Sequence, residues 1–247
     1  MKTQIRKWSG FTLVEILTVI AIIGILAGII LTAAAQARNK ALRVRAKKEV
    51  TEIVTAIQTY DSVYGQFPVS TEVRNLAGTQ DFTYGDKLLT SALGPGSYGA
   101  NNSEVIAILM DITSYPTGGP TANANHSKNT QHRQFLSANM VQDAALPGVG
   151  PDLVYRDPWG TPYVISMDLN YDDQCRDEFY RRTVVSGTGG ATPNAGLNGL
   201  VNPDGTADNF QFHGKVMVWS AGPDKAITPT LPANQGANKD NILSWVD

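Results

Sequence analysis

The stretch Gly10-Phe11-Thr12-Leu13-Val14-Glu15-Ile16, continued as LTVIAIIGILAGIILTAAA to Ala35, decides how this chain is built. From Ile16 to Ala35 there is no charged residue. A run of about 20 apolar residues matches the hydrocarbon thickness of a bilayer when helical. Lys2, Arg6 and Lys7 precede it, and a basic flank stays on the cytoplasmic side. The bulk of the chain is therefore expected on the other face. A secretory signal peptide also pairs a basic start with an apolar middle. Here the apolar core is too long for one, and Glu15 sits within its first turns. The small residues near Ala33 and Ala35 are the nearest match to a cleavage site.

Gly10-Phe11-Thr12-Leu13-Val14-Glu15 resembles the class III signal of type IV pilins and their relatives. The resemblance implies cleavage between Gly10 and Phe11 by a prepilin peptidase, then methylation of the new Phe11 amine. It also implies a role for Glu15 in assembly. A carboxylate inside a membrane helix costs about 3 kcal/mol or more, so it normally has a partner. In a filament, the Phe11 amine of a neighbouring subunit would neutralise Glu15. The competing reading leaves Glu15 solvated at the membrane interface. Many members of the family carry proline twenty-two residues into the mature chain; Thr32 stands there instead, which weakens any expectation of melting at that point. Gly24 and Gly28 form a GxxxG, a spacing that permits close helix contact in membranes and is also ordinary in membrane helices.

The chain has 247 residues and a formal charge of −2. With the three basic leader groups removed, the remainder is near −5 before its new amine is counted. Apart from Arg38 to Lys48 no basic run follows the apolar span, so nucleic-acid binding has little support. The single cysteine, Cys175, cannot form an internal disulfide and reads as a small buried residue.

The helix is expected to continue beyond the membrane. No proline interrupts Gln36 to Tyr64, and Ala46, Val50, Ile53, Val54, Ile57, Tyr60 and Tyr64 recur at spacings of three and four. That is one apolar stripe, with Arg43, Lys47, Lys48, Glu49 and Glu52 largely off it. A helix from Thr12 to Tyr64 would be about 80 Å long, ended by Gly65 and Pro68. Beyond it the sequence reads as a small head. Ser103–Met110 is a candidate amphipathic helix, and Tyr115 to Thr130 reads as loop. Val154 to Ser166 gives strands about a turn, and Val216 to Ser220 gives a final strand. The stretches 70–100 and 170–212 read as insertions. The expected organisation is a leader over 1–10, a transmembrane half-helix over 11–35, an amphipathic half over 36–65 and a periplasmic α+β head over 66–247.

Two further matches narrow the resemblance. Asp157-Pro158-Trp159-Gly160-Thr161-Pro162-Tyr163 resembles the DPWGxPY turn of the major pseudopilin of type II secretion systems. Pro158 and Gly160 suit a tight turn, and Trp159 and Tyr163 offer apolar surface to pack it. Trp219-Ser-Ala-Gly-Pro-Asp224 with Lys239-Asp-Asn-Ile-Leu-Ser-Trp245 is similar to the C-terminal end of the same family, whose loop binds calcium. The resemblance therefore implies a calcium held by Asp224, Asp240 and Asn241. Calcium takes six to eight oxygens. Here Lys225 replaces the usual glycine and Lys239 adds a second ammonium, so a hydrogen-bonded turn anchored by Trp245 competes with the metal. A second acidic run, Asp168 to Asp173, lacks the glycine and the closing glutamate of an EF-hand and reads as a solvated turn.

Nothing in the sequence supports catalysis: His126, His132 and His213 have no HxxxH spacing, and no GxSxG, Walker loop or CxxC occurs. The resemblance implies a structural pseudopilin. It would be single-pass in the bacterial inner membrane with its N-terminus cytoplasmic, then part of a homo-oligomeric periplasmic filament with minor pseudopilins. An inner-membrane platform and its ATPase would drive assembly. Two alternatives remain. One is a type IV pilin for adhesion, motility or DNA uptake, against which the lone cysteine and DPWGxPY count. The other is a membrane-anchored periplasmic enzyme, against which the Gly-Phe-to-Glu motif counts.

Overall fold

The computed structural model describes residues 12–189 and 194–246. It divides into two compact units, 1–42 and 43–247. The elements are, in chain order, α1 (Leu13–Tyr64), α2 (Thr71–Ala77), β1 (Phe82–Tyr84), α3 (Asp86–Leu93) and α4 (Ser103–Leu109). There follow β2 (Gly148–Val149), β3 (Tyr155–Arg156), β4 (Val164–Met167), β5 (Gln174–Cys175), α5 (Thr183–Ser186), β6 (Phe212–His213), β7 (Val216–Ser220) and β8 (Ile242–Leu243).

In the first unit, α1 runs without a break through Thr32. Its large apolar side chains from Leu13 to Leu31 are all half or more exposed. By length and composition it can cross a membrane.

In the second unit, the rest of α1 lays the expected stripe on the head. Ala46, Val50, Ile53, Ile57 and Tyr60 are fully buried, and Val54 and Tyr64 pack at the edge. Glu49 departs from the expectation. It is buried on the stripe, because the Tyr163 hydroxyl donates to it at 2.6 Å and Arg45 Nε at 2.8 Å. The main sheet has strand order β1-β4-β7-β8, all neighbours antiparallel. The fold is thus α+β, a long helix with an antiparallel sheet.

Several local expectations are corrected. Val216–Ser220 is not the final strand: β8 adds at the edge, with Trp219 opposite Leu243. The stretch read as an insertion at 70–100 supplies β1, whose Phe82 faces Met167 across the ladder. Ser103–Leu109 is a helix, but Val105 to Leu109 are all fully buried, so it is a core helix rather than an amphipathic one. The expected strands about the turn are present as β3 and β4, bridged at Arg156 and Pro162, and β3 also pairs with β2. Asp168 is not solvated. It is fully buried and accepts the backbone N–H groups of Asp172 (3.2 Å) and Asp173 (2.9 Å). Cys175 is buried and unpaired, its thiol pKa pushed up by desolvation and nearby carboxylates.

Candidate functional site

Gly10 and Phe11, the expected cleavage and methylation site, lie outside the described residues. The next residue, Thr12, caps α1. Glu15 Oε2 accepts the Thr12 N–H and hydroxyl, each at 2.8 Å, while the Glu15 N–H reaches Thr12 Oγ1 at 3.3 Å. This is a capping box, in which threonine and glutamate three apart satisfy each other's orphan donors. It gives Glu15 a task within its own chain that the sequence reading missed, although the T-x-x-E spacing announces it. A Cβ added at Gly24 or Gly28 would meet no heavy atom of the described residues within 4 Å, so that helix surface has room for a close approach.

The C-terminal loop is built from the DPWG turn upward. Asp157 is fully buried, and its Oδ1 accepts the N–H groups of Trp159 and Thr161, both at 2.9 Å. Gly160 closes the turn at φ +91°, a conformation that favours glycine. Tyr163 is buried as expected, whereas Trp159 is only half-buried. Burial pushes the Asp157 carboxyl above its ordinary range, against the pull of its donors, the Ser220 hydroxyl foremost. That hydroxyl donates to Asp157 Oδ2 and itself accepts the Gly222 N–H at 3.0 Å. Gly222 lies against the Asp240 backbone, where a Cβ would come within 2.4 Å of the Asp240 carbonyl oxygen. The two sequence signatures, far apart in the chain, thus form one hydrogen-bonded unit. A second buried carboxylate beneath it was not foreseen: Asp177 accepts from Trp219 Nε1 at 2.9 Å and from Ser166 Oγ at 2.7 Å.

Asp240 and Asn241 are brought together by this loop. Asp240 Oδ1 and Asn241 Oδ1 are buried and have no hydrogen-bond partner among the described residues. Two orphaned acceptor oxygens on adjacent residues are what a cation would satisfy. Burial first and then the charge of Asp224 push the Asp240 carboxyl up, while Arg43, 3.7 Å from Oδ2, opposes them. Asp224 Oδ1 meanwhile accepts the Ala226 N–H at 3.0 Å. Asp240 and Asn241 thus each offer an unsatisfied acceptor oxygen of the kind calcium takes, while Asp224 is exposed. Lys225 stands in the left-handed region at φ +58°, which explains why glycine suits that place better. The rival anchor is present as well: Trp245 packs edge-on against Tyr180 at 5.3 Å, though its indole N–H is buried with no partner among the described residues.

No curated protein and no solved structure matches the chain. Residues 7–31 match the family described as "Prokaryotic N-terminal methylation motif". That match covers the end of the leader from Lys7, Gly10, Phe11, the Glu15 capping box and most of the exposed apolar helix, and with the α+β architecture it supports a membrane-anchored, structural protein of the type IV pilin-like kind.

Proposed function

We propose that the chain is the major-type pseudopilin of a type II secretion system. The observation that carries the pilin-like part is the methylation motif running directly into an exposed apolar helix. The narrower assignment draws support from the DPWG turn, locked through Ser220 and Gly222 to the Asp240 loop. On this reading the prepilin peptidase cuts after Gly10, and Phe11 is N-methylated. The helix holds subunits in the inner membrane with the head periplasmic. Copies of the chain then bundle through their helices into a short filament, joined by minor pseudopilins and driven by the platform and its ATPase. Calcium, held by Asp224, Asp240 and Asn241, would neutralise the two carboxylates and close the C-terminal loop in place of a disulfide.

Two measurements test this. Mass spectrometry of the protein from its native membrane should find N-methylated Phe11 at the start. Deleting the gene should stop protein export and leave surface fibres intact. A different N-terminus would overturn the processing. Loss of surface fibres with normal export would favour the type IV pilin.

A further inference from the structure

The geometry points to a second metal site in the head, in which Asp111, His126 and His132 hold a borderline transition-metal ion, zinc foremost. It is independent of the calcium loop and of the pilin reading. One ligand atom from each residue lies within 4.8 Å of the others. His126 Nδ1 is 2.7 Å from Asp111 Oδ1, and His132 Nδ1 is 3.8 Å from Asp111 Oδ2. A His–Asp hydrogen bond alone accounts for the first contact. It does not account for a second imidazole turned toward the other oxygen of the same carboxylate, with ring centroids only 3.8 Å apart.

The loop is built to present these groups. Both histidines come three residues after an asparagine, in Asn123-Ala-Asn-His126 and Asn129-Thr-Gln-His132. In each copy the asparagine carbonyl accepts the histidine N–H, at 2.9 and 3.0 Å. Both asparagines are fully buried. Asn123 Oδ1 accepts the N–H groups of Lys128 and Asn129, and Asn129 Oδ1 accepts the Tyr64 hydroxyl and the Arg133 N–H. The Asn123 amide also donates to Asp111 Oδ1 at 2.9 Å, fixing the carboxylate from behind. Such partners of a ligand orient it and raise affinity. Asp111, His126 and His132 all sit in the left-handed region, at φ 57°, 56° and 53°. Strain of this kind persists where surrounding contacts over-determine it.

Two neutral imidazole nitrogens and one carboxylate oxygen suit zinc or its neighbours rather than calcium or magnesium, which take oxygen. On binding, the ion takes the place of the proton between His126 Nδ1 and Asp111 Oδ1, and the neutral ring carries its proton on Nε2. Three protein ligands leave one position open. The His132 side chain is 60% exposed, so that position faces solvent and takes water. The ion would pin the loop to Asp111, just past α4, while Tyr60 and Tyr64 of α1 already bond the same loop.

The test is calorimetric titration of ZnCl2 into the full-length, tag-free protein in detergent micelles, with millimolar calcium present throughout. One equivalent should bind. Cobalt(II) in its place should give the intense visible bands of a four- or five-coordinate site. His132→Ala, at the most exposed ligand, should keep the fold and weaken binding by about tenfold or more, and Asp111→Asn should do the same. His213→Ala should change nothing. Absence of saturable binding to the wild type, or unchanged binding in His132→Ala, would overturn the site.

Discussion

Tyr163 donates its hydroxyl to Glu49 at 2.6 Å, joining the DPWGTPY turn to α1 across 114 residues of chain. Burial first and the Glu49 charge second push the phenol's pKa up, so it remains a donor at any physiological pH. Arg45 holds the other Glu49 oxygen at 2.8 Å. Tyr163→Phe keeps the ring packing and leaves one carboxylate oxygen buried without its donor. The expected cost is about 1–3 kcal/mol, read as a melting temperature lower by several degrees. A variant that melts with the wild type would show that water or Arg45 satisfies Glu49 unaided.

Asp81 gives a pH dependence of definite sign. Burial first and the charges of Asp168 and Asp172 push its carboxyl up to about 7, although the Arg176 N–H donates to Oδ2 at 2.6 Å. Its Oδ1 is buried with no partner among the described residues. The folded state therefore keeps a proton that the unfolded chain releases near its ordinary value of 3.8. Stability is full below that value and falls as pH rises toward 7. Asp81→Asn retains the acceptor for Arg176 and removes the charge. Discounted for the side chain's partial exposure, the variant should be about 1–2 kcal/mol more stable than wild type at pH 8 and equal to it at pH 4. Parallel melting curves at both pH values would contradict the assignment.

What the sequence disclosed depended on whether the cause was local. The apolar stripe from Ala46 to Tyr64 was legible because helical periodicity lies in neighbouring residues. Pro158 and Gly160 marked their turn for the same reason. Glu49 was misread because its partner is far away in sequence, so a charge at helical spacing looked solvent-facing. β1 and β8 were missed because strands of three and two residues are defined by the ladders they complete, not by their own alternation. At the C-terminal loop the resemblance pointed to Asp224, Asp240 and Asn241, of which Asp240 and Asn241 carry the orphaned oxygens. The Ser220 and Gly222 links that set their loop against Asp157 were not legible. The convergence of His126 and His132 on Asp111 escaped because their spacing of six follows a loop, not a helix.

The C-terminal loop is testable through Asp224 and Lys225. If calcium joins Asp224 to the orphaned oxygens of Asp240 and Asn241, it stabilises the folded chain by mass action. The melting temperature of the full-length protein in micelles should rise with calcium and fall with chelator. Asp224→Ala should lose that response and keep its helix content. Lys225→Gly removes an ammonium group from the loop and relieves a left-handed side chain, so it should stabilise by up to about 1 kcal/mol and bind calcium more tightly. Identical melting of the wild type in calcium and in chelator would leave the loop to Trp245 packing and hydrogen bonds.

Glu15 has two competing roles, and one pair of variants separates them. In a single chain it closes a capping box with Thr12. In a filament it would meet the Phe11 amine of a neighbour. Thr12→Val removes the hydroxyl of the box, at a cost of about 0.5–2 kcal/mol in helix start, and leaves the carboxylate in place. Glu15→Ala removes both functions and eases membrane insertion, since a charge is gone from the apolar span. If capping is all that Glu15 does, the two variants should reduce filament yield alike. If it pairs with a neighbouring amine, Thr12→Val should assemble nearly as wild type while Glu15→Ala inserts into the membrane and fails to assemble. Yield is read by sedimenting sheared filaments and comparing them with membrane-held subunit. Glu15→Gln refines the answer, because it can still accept the Thr12 N–H but carries no charge for an amine. Assembly of Glu15→Gln at wild-type yield would rule out charge pairing.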